Sequence, residues 1–243
     1  MGATYRGPII DTHVHFYDPT RPQGVPWPLK TDALLYKRVL PADFREATKG
    51  LGDTGVVIVE ASAWLEDNQW VLDVARDDPM ILGIVGHIDP ATPDFRSNLA
   101  RFSKHRLFKG LRISGAGVAG ALADPAYLAD LAALADADLQ LDVLGGTSMF
   151  TPLLQLSDKL PKLRIVIDHL PYDSPVPAEL RGRSNVYAKV SGVLRKIGDS
   201  VPYEVEPYRN MLDQLWSVFG QDRLIYASNW PVSNALLFRD CYL

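Results

Sequence analysis

Apolar residues in this chain gather in short, nearly continuous runs, separated by longer segments where they recur at helical spacing. The runs are GPIID at 7–11, GVVIVEA at 55–61, ILGIVGH at 81–87, FKGLRIS at 108–114, LQLDVL at 139–144, RIVIDH at 164–169, NVYAKVSG at 185–192 and RLIYASN at 223–229. Most are rich in β-branched residues and apolar on both parities, the pattern of strands covered on both faces of a parallel sheet. Several intervening segments open on a capping side chain followed by proline: Thr92-Pro93, Asp124-Pro125 and Thr151-Pro152. That order predicts a helix start, because proline suits the first helical position. In PAYLADLAALADA at 125–137, Leu128, Leu131, Ala132 and Ala135 form a helical stripe.

Strands alternating with helices predict right-handed β-α-β units, and eight of them predict a closed (β/α)8 TIM barrel in preference to an open sheet. No repeat or linker divides the chain, so residues 1–243 are expected to form a single domain. The main irregular stretch is DPTRPQGVPWPLK at 18–30, directly after the first strand. Only 14 residues follow the last run, from Trp230 to Leu243, so the closing helix is expected to be absent or shortened.

In such a barrel the chemistry sits at the carboxyl ends of the strands. There the runs end on His13 and His15, Glu60, His87, Arg112, His169, Lys189 with Ser191, and Asn229. Four of the five histidines fall at these ends. His13 and His15 are one residue apart, and strand side chains alternate, so both should point to one side while Val14 points to the other. Arg112 offers a rigid fork of donors for a carboxylate or hydroxyl. Glu60 could equally serve as the buried partner of a neighbouring cation, and His87, before Ile88-Asp89-Pro90, could simply bond its turn. Asp142 and Asp168 lie inside strand patterns. Asp168 has the opposite parity to His169, which predicts a structural place for Asp168 if His169 points inward. Trp27, Trp64 and Trp230 lie near strand-end loops, where they could wall a pocket or cap the barrel.

Composition narrows the partners. The chain is 47% hydrophobic and 22% charged, with a formal net charge of −4 and a pI near 5.7. No basic patch marks it for nucleic acid or an anionic membrane, so a small-molecule partner is expected. The single Cys241 cannot form an internal disulfide, the N-terminus lacks the pattern of a signal peptide, and no apolar run reaches the roughly 18 residues of a membrane span. A cytoplasmic protein is expected.

The ordered set DTHVHFYDP, GVPWP, VVIVEASAWLEDNQWVLDVA, VGHIDP, FKGLRI, VIDHL, YAKVSG and YASNWPVS resembles the amidohydrolase-related metal-dependent hydrolases of TIM-barrel fold. The branch is the one that includes the sugar lactonases and the pyrone-dicarboxylate lactonase, and the resemblance spans about residues 8 to 234. It implies a hydrolase that opens the ring ester of a small polar lactone, or acts on a related organic acid. It also implies that His13, His15 and His169 hold one divalent metal, with zinc the candidate, or touch the substrate with no metal; loose binding or none is expected. Tyr17, Trp27, His87 and Trp230 are expected around the substrate. A decarboxylase or hydratase on the same scaffold, and a silent ligand-binding relative, remain open, because fold does not fix function.

Two departures from the resembled pattern stand out. The eighth-strand motif usually carries an aspartate that activates water, and here it has Asn229, whose amide is not a base. The sixth-strand motif usually continues with glycine, and here it reads HLPYD, with Pro171. Proton removal then falls to Glu60 or His169. His169 is favoured, since an imidazole has an unperturbed pKa near 6.5 and parity aims it inward.

Overall fold

The computed structural model of the chain describes residues 7–51, 54–171 and 174–233. Eight strands run in consecutive order: β1 (Ile9–Val14), β2 (Thr54–Val59), β3 (Ile81–Gly86), β4 (Phe108–Ser114), β5 (Gln140–Leu144), β6 (Arg164–Ile167), β7 (Val186–Val190) and β8 (Leu224–Tyr226). Every neighbouring pair is parallel. The first and last strands meet beyond the short β8. Thr12 Oγ1 donates to Tyr226 O at 2.8 Å, and Val14 bridges Trp230. The His15 N–H donates to Trp230 O at 2.9 Å. The barrel is thus drawn shut at its carboxyl end, where the predicted chemistry lies.

Helices cover the barrel: α1 (Pro41–Ala47), α2 (Asp67–Ala75), α3 (Phe95–Phe102), α4 (Gly115–Ala123), α5 (Pro125–Asp136), α6 (Phe150–Lys159) and α7 (Arg209–Phe219). Two of them, α4 and α5, fill the β4–β5 crossover and meet at 113°. Between β6 and β7 the described residues make only a short 3-10 turn, Ala178–Gly182. No single helix among the described residues is long and apolar enough to cross a membrane. The expected shortening of a closing helix concerns residues 234–243, which lie outside the described residues, as does Cys241.

The apolar runs become strands because both of their faces are covered. Leu111 and Ile113 on β4, Leu141 and Val143 on β5, and Ile165 and Ile167 on β6 are buried in the main apolar core. Burying each such side chain stabilises the fold by about 1.5–3 kcal/mol. Their neighbours of opposite parity, Arg112 and Asp142, face the barrel interior and are paired in register.

Of the three expected helix starts, one holds as drawn. Asp124 caps α5, accepting from the Ala126 N–H at 2.8 Å, with Pro125 at the first position. Helix α3 begins later than Thr92-Pro93, at Phe95, because Thr92 is spent on the preceding turn: its hydroxyl donates to Asp89 O. Helix α6 begins earlier than Thr151-Pro152, at Phe150 behind a 3-10 turn, Thr147–Met149. Pro152 then sits within the first turn, where backbone N–H groups have no helical partner to lose. The buried face of α5 is also rotated from the expected stripe. Asp130, Leu131 and Leu134 are buried, whereas Leu128, Ala132 and Ala135 are only partly so. Asp130 turns inward because Arg96 Nε and the Ala91 N–H donate to its carboxylate at 2.7 and 2.9 Å.

Candidate active site

A cleft of about 420 Å³ opens at the carboxyl end of the strands. Its polar lining is His15, Glu60, Ser62, Arg112, His169 and Asn229, and its apolar walls include Trp27, Leu144 and Val232. This volume lies within the range of small-molecule sites. Each polar group reaches it for a local reason.

His13 and His15 point to the same side, as the alternation of β1 requires, and their Nε2 atoms stand 3.1 Å apart. His15 Nδ1 is 2.9 Å from the Val59 carbonyl. A carbonyl only accepts, so Nδ1 carries the proton and Nε2 holds a lone pair. Trp27 meets His15 edge to face, with ring centres 5.4 Å apart. His13 lies behind His15 with no exposed surface and does not line the cleft.

Arg112 is clamped by one residue. Its Nε donates to Glu60 Oε1 at 2.8 Å and its Nη2 to the Glu60 carbonyl at 2.7 Å. Nη1 makes only a 3.6 Å approach to Asp168 Oδ2, so it is the arm left for a ligand. Burial works against the guanidinium charge, but Glu60 and Asp168 outweigh it and hold the group above its ordinary pKa. Arg112 is a permanent cation with a fixed orientation.

His169 follows the end of β6. Its Nδ1 lies 3.1 Å from Ser191 Oγ, and its ring centre 4.5 Å from that of His13. Nε2 has no protein partner among the described residues. Burial lowers the His169 pKa to about 4, opposed by Asp168 and reinforced by Lys189 and Arg112. Burial and the nearby Arg112 likewise lower His15 to about 3. Both imidazoles are neutral around pH 7. Asn229 adopts φ 62°, a left-handed conformation that asparagine and aspartate tolerate better than most residues. Its side-chain amide makes no hydrogen bond among the described residues and faces the cleft.

Beneath the cleft lies a charged floor. Lys189 Nζ, fully buried, is 2.6 Å from Asp142 Oδ2, 2.7 Å from Asp168 Oδ1 and 3.2 Å from His13 Nδ1. Burial would strip the ammonium of its proton, yet the two carboxylates raise its pKa. They share that cation unequally. Burial pushes Asp142 up to about 7, whereas Lys189, His13 and Arg112 overcome burial at Asp168 and hold it well below the usual carboxylate range. Asp11 Oδ1 accepts from the backbone N–H groups of His13 and Ser228, tying β1 to the loop after β8.

Several expected placements need correction. Asp168 faces the interior because alternation counted from Val166, the register partner of the inward Asp142, carries it there. His169, of opposite parity, also reaches the cleft because β6 ends at Ile167 and the chain bends. Tyr17 is buried outside the cleft lining; its hydroxyl donates to Leu35 O at 2.8 Å and its ring supports Trp27. Trp230 is core, 3% exposed, packed against Phe16 and Phe44. His87 also lies outside the lining. Its Nε2 is 2.8 Å from Asp89 Oδ1, and Asn68 brackets its backbone with bonds to both N–H and carbonyl. Gly86 makes room for that bracket, since a Cβ there would stand 2.2 Å from Asn68 Oδ1. Trp64 is 40% exposed and outside the lining.

The metal expectation can be tested on the donors. A catalytic zinc takes three protein ligands and a water. The Nε2 atoms of His13 and His15 stand 3.1 Å apart and the His169 ring lies 4.5 Å from that of His13, but no group of three or more His, Cys, Asp or Glu among the described residues is arranged to hold an ion. The set does not fit a catalytic metal.

The amidohydrolase family model matches residues 10–235. A relative from Burkholderia ambifaria named L-fucono-1,5-lactonase is 30% identical over 239 residues, covering 92% of this chain and 80% of that protein. A second of the same name, from Burkholderia multivorans, is 24% identical over 243 residues, covering 92% of this chain and 82% of its own. A crystal structure of a Burkholderia multivorans amidohydrolase with bound zinc superposes with a TM-score of 0.81 at 22% identity, covering 97% of this chain and 89% of that one.

Proposed function

Because this chain belongs to the amidohydrolase family, we propose that it is a lactonase that hydrolyses the ring ester of a small, polar, sugar-type lactone. The observation that carries the reading is the pairing, in one small-molecule cleft, of a clamped guanidinium with a free Nη1 and a neutral imidazole with a free Nε2. The lactonase names of the two relatives support the substrate class.

Ester hydrolysis needs a donor for the carbonyl oxygen, a base for water and a surface that orients the ring. Arg112 Nη1 donates to the carbonyl oxygen and holds the negative charge that develops there. His169 Nε2 takes a proton from the attacking water, whose oxygen adds to the carbonyl carbon. As the intermediate collapses, the ring C–O bond breaks and the imidazolium returns its proton to the departing alkoxide. The product is the open-chain hydroxy acid. Asn229 and Ser62 offer hydrogen bonds to ring hydroxyls, and Trp27 offers a flat apolar wall. His13 and His15 back the site, and no step is routed through a metal.

A panel of sugar lactones followed with a pH indicator, alongside elemental analysis of the pure protein, tests this directly. Ring opening on one or more lactones is expected. Binding of lactones without acid release would make the chain a silent relative, and release of carbon dioxide from an aromatic acid would make it a decarboxylase.

A further inference from the structure

The three hydrogen-bonding positions around His13 and His15 are not independent. We propose that Lys189 is a positioning residue. Its ammonium fixes His13 as the Nε2–H tautomer, begins a one-way hydrogen-bond chain from Lys189 through His13 and His15 to Val59, and thereby closes the histidine pair to a metal ion.

The direction of the chain follows from its ends. At the far end the Val59 carbonyl can only accept, so His15 must donate from Nδ1 and keep a lone pair on Nε2. His13 Nε2, 3.1 Å from that lone pair, must therefore donate. A neutral His13 with its proton on Nε2 has a bare Nδ1, and Lys189 lies 3.2 Å from it. An ammonium has three protons and no acceptor. Asp142 takes one and Asp168 another, and the third is left for His13. Each bond has one donor and one acceptor, and none of the three groups is left over.

The other neutral tautomer of His13 fails at both ends. A proton on Nδ1 would find Asp168 Oδ1 at 3.3 Å, but it would also face the Lys189 ammonium at 3.2 Å. Nε2 would then oppose the lone pair of His15 across 3.1 Å. Charging either ring would relieve that opposition, but it would add a second cation to a pair closed off from water, with the Lys189 ammonium already 3.2 Å from His13. A cation between the two Nε2 atoms would relieve it as well. Metal binding thus requires the tautomer that Lys189 disfavours, and the ammonium competes with the ion through a residue neither shares with the cleft. Without Lys189, Asp168 is free to accept from Nδ1 and turn the Nε2 lone pair outward, the usual arrangement behind a metal-bound histidine.

Two measurements on the full chain test this, and neither involves turnover, so the outcome is separate from that of the lactonase reading. Long-range proton–nitrogen NMR of histidine-labelled wild type should show His13 protonated on Nε2 and His15 on Nδ1. His13 protonated on Nδ1, or charged, overturns the proposal. The second measurement is zinc titration by calorimetry. Lys189→Met paired with Asp142→Asn removes one charge of each sign from the floor and should bind Zn²⁺ about 10–100-fold more tightly than wild type, the span that outer partners of metal ligands command. Asp142→Asn alone keeps the ammonium and should bind no better than wild type. Equal zinc affinity in the double variant and wild type overturns the proposal. If circular dichroism shows the double variant unfolded, the wild-type tautomers decide.

Discussion

The backbone N–H of Asn229 donates to the carbonyl of His13 across 3.0 Å, joining the loop after β8 to the carboxyl end of β1. The bond holds Asn229 at φ 62° with its amide in the cleft, while the His13 ring it is tied to does not line that cleft. It makes the position opposite His169 a fixed one, where a change of side chain alters chemistry without moving the main chain.

Asn229→Asp is therefore the cleanest substitution in the site. Aspartate tolerates the same left-handed conformation and adds a carboxylate where the resembled motif has its water-activating group. General base catalysis contributes about 10²–10⁴-fold, so lactone hydrolysis should rise by a factor near the lower end of that range. Steady-state rates on the best lactone from the panel give the answer. A rate that stays level or falls would make Asn229 a binding group and leave proton removal to His169 or Glu60.

Arg112→Lys should be as damaging as a loss of charge. A lysine cannot bond both oxygens of Glu60 while presenting a third donor in a fixed direction. Removing one donor from a developing oxyanion typically costs about 10²–10³-fold in kcat, and a fall of that order is expected with the fold intact. A variant with nearly full kcat would show that the guanidinium only binds ground-state substrate.

How far the site could be read from the chain differs from strand to strand. At β1 the alternation was enough: His13 and His15 had to share a side, and they do. At β5 and β7 it was not, because Leu141 and Ala188 are as buried as Asp142 and Lys189, and an apolar pattern cannot tell the inner face from the helix-covered one. The register that aligns Asp142 with Arg112 carries that information, and it belongs to neighbouring strands, not to either alone. Asp168 was misplaced because the parity was anchored on His169, which lies past the end of β6; counted from Val166 it points Asp168 inward. His87 and Trp230 sit at strand ends as expected, but Asp89 and the Phe16–Phe44 aromatic cluster draw them elsewhere. Position at a strand end says where a backbone lies, while the side chain goes where its partners are.

Acid should unfold this protein earlier than its modest net charge suggests. His15 and His169 have folded pKa values lowered from 6.5 to about 3 and about 4, so the stability they contribute is complete above pH 6.5 and is lost as pH falls through those values. At about 1.4 kcal/mol per unit, His169 alone removes roughly 3 kcal/mol on that descent. Asp142 acts in the opposite sense. Its folded pKa is raised to about 7, so its contribution is complete below 3.8 and lost as pH rises through 7. His13 is lowered as well, which sets three histidines against one aspartate, and the net slope favours neutral pH. Thermal unfolding should show Tm falling from pH 7 to pH 4, more steeply in Asp142→Asn. A Tm that rises as pH drops from 7 to 5 would contradict the balance.

The last expectation concerns the pH at which activity fails. If His169 accepts the proton from water, it must be neutral, and burial together with Lys189 and Arg112 keeps it so down to about pH 4. The acid limb of kcat/KM should then bend near 4, well below the 6.5 of an unperturbed imidazole. His169→Gln keeps a polar side chain of similar reach but cannot take a proton, and should lower kcat by about 10²–10⁴-fold while leaving KM within a few-fold of wild type. It should also erase the acid limb down to the pH where the fold itself fails. A variant that keeps the wild-type limb would move proton removal to another group. Glu60 is then the carboxylate to test, although its Oε1 also accepts from Arg112, so a change there acts on the guanidinium as well. Glu60→Gln separates the two effects. It preserves the backbone carbonyl bond to Nη2, so a fall in kcat that also erases the acid limb points to the base, and a fall in kcat with the limb retained points to the clamp.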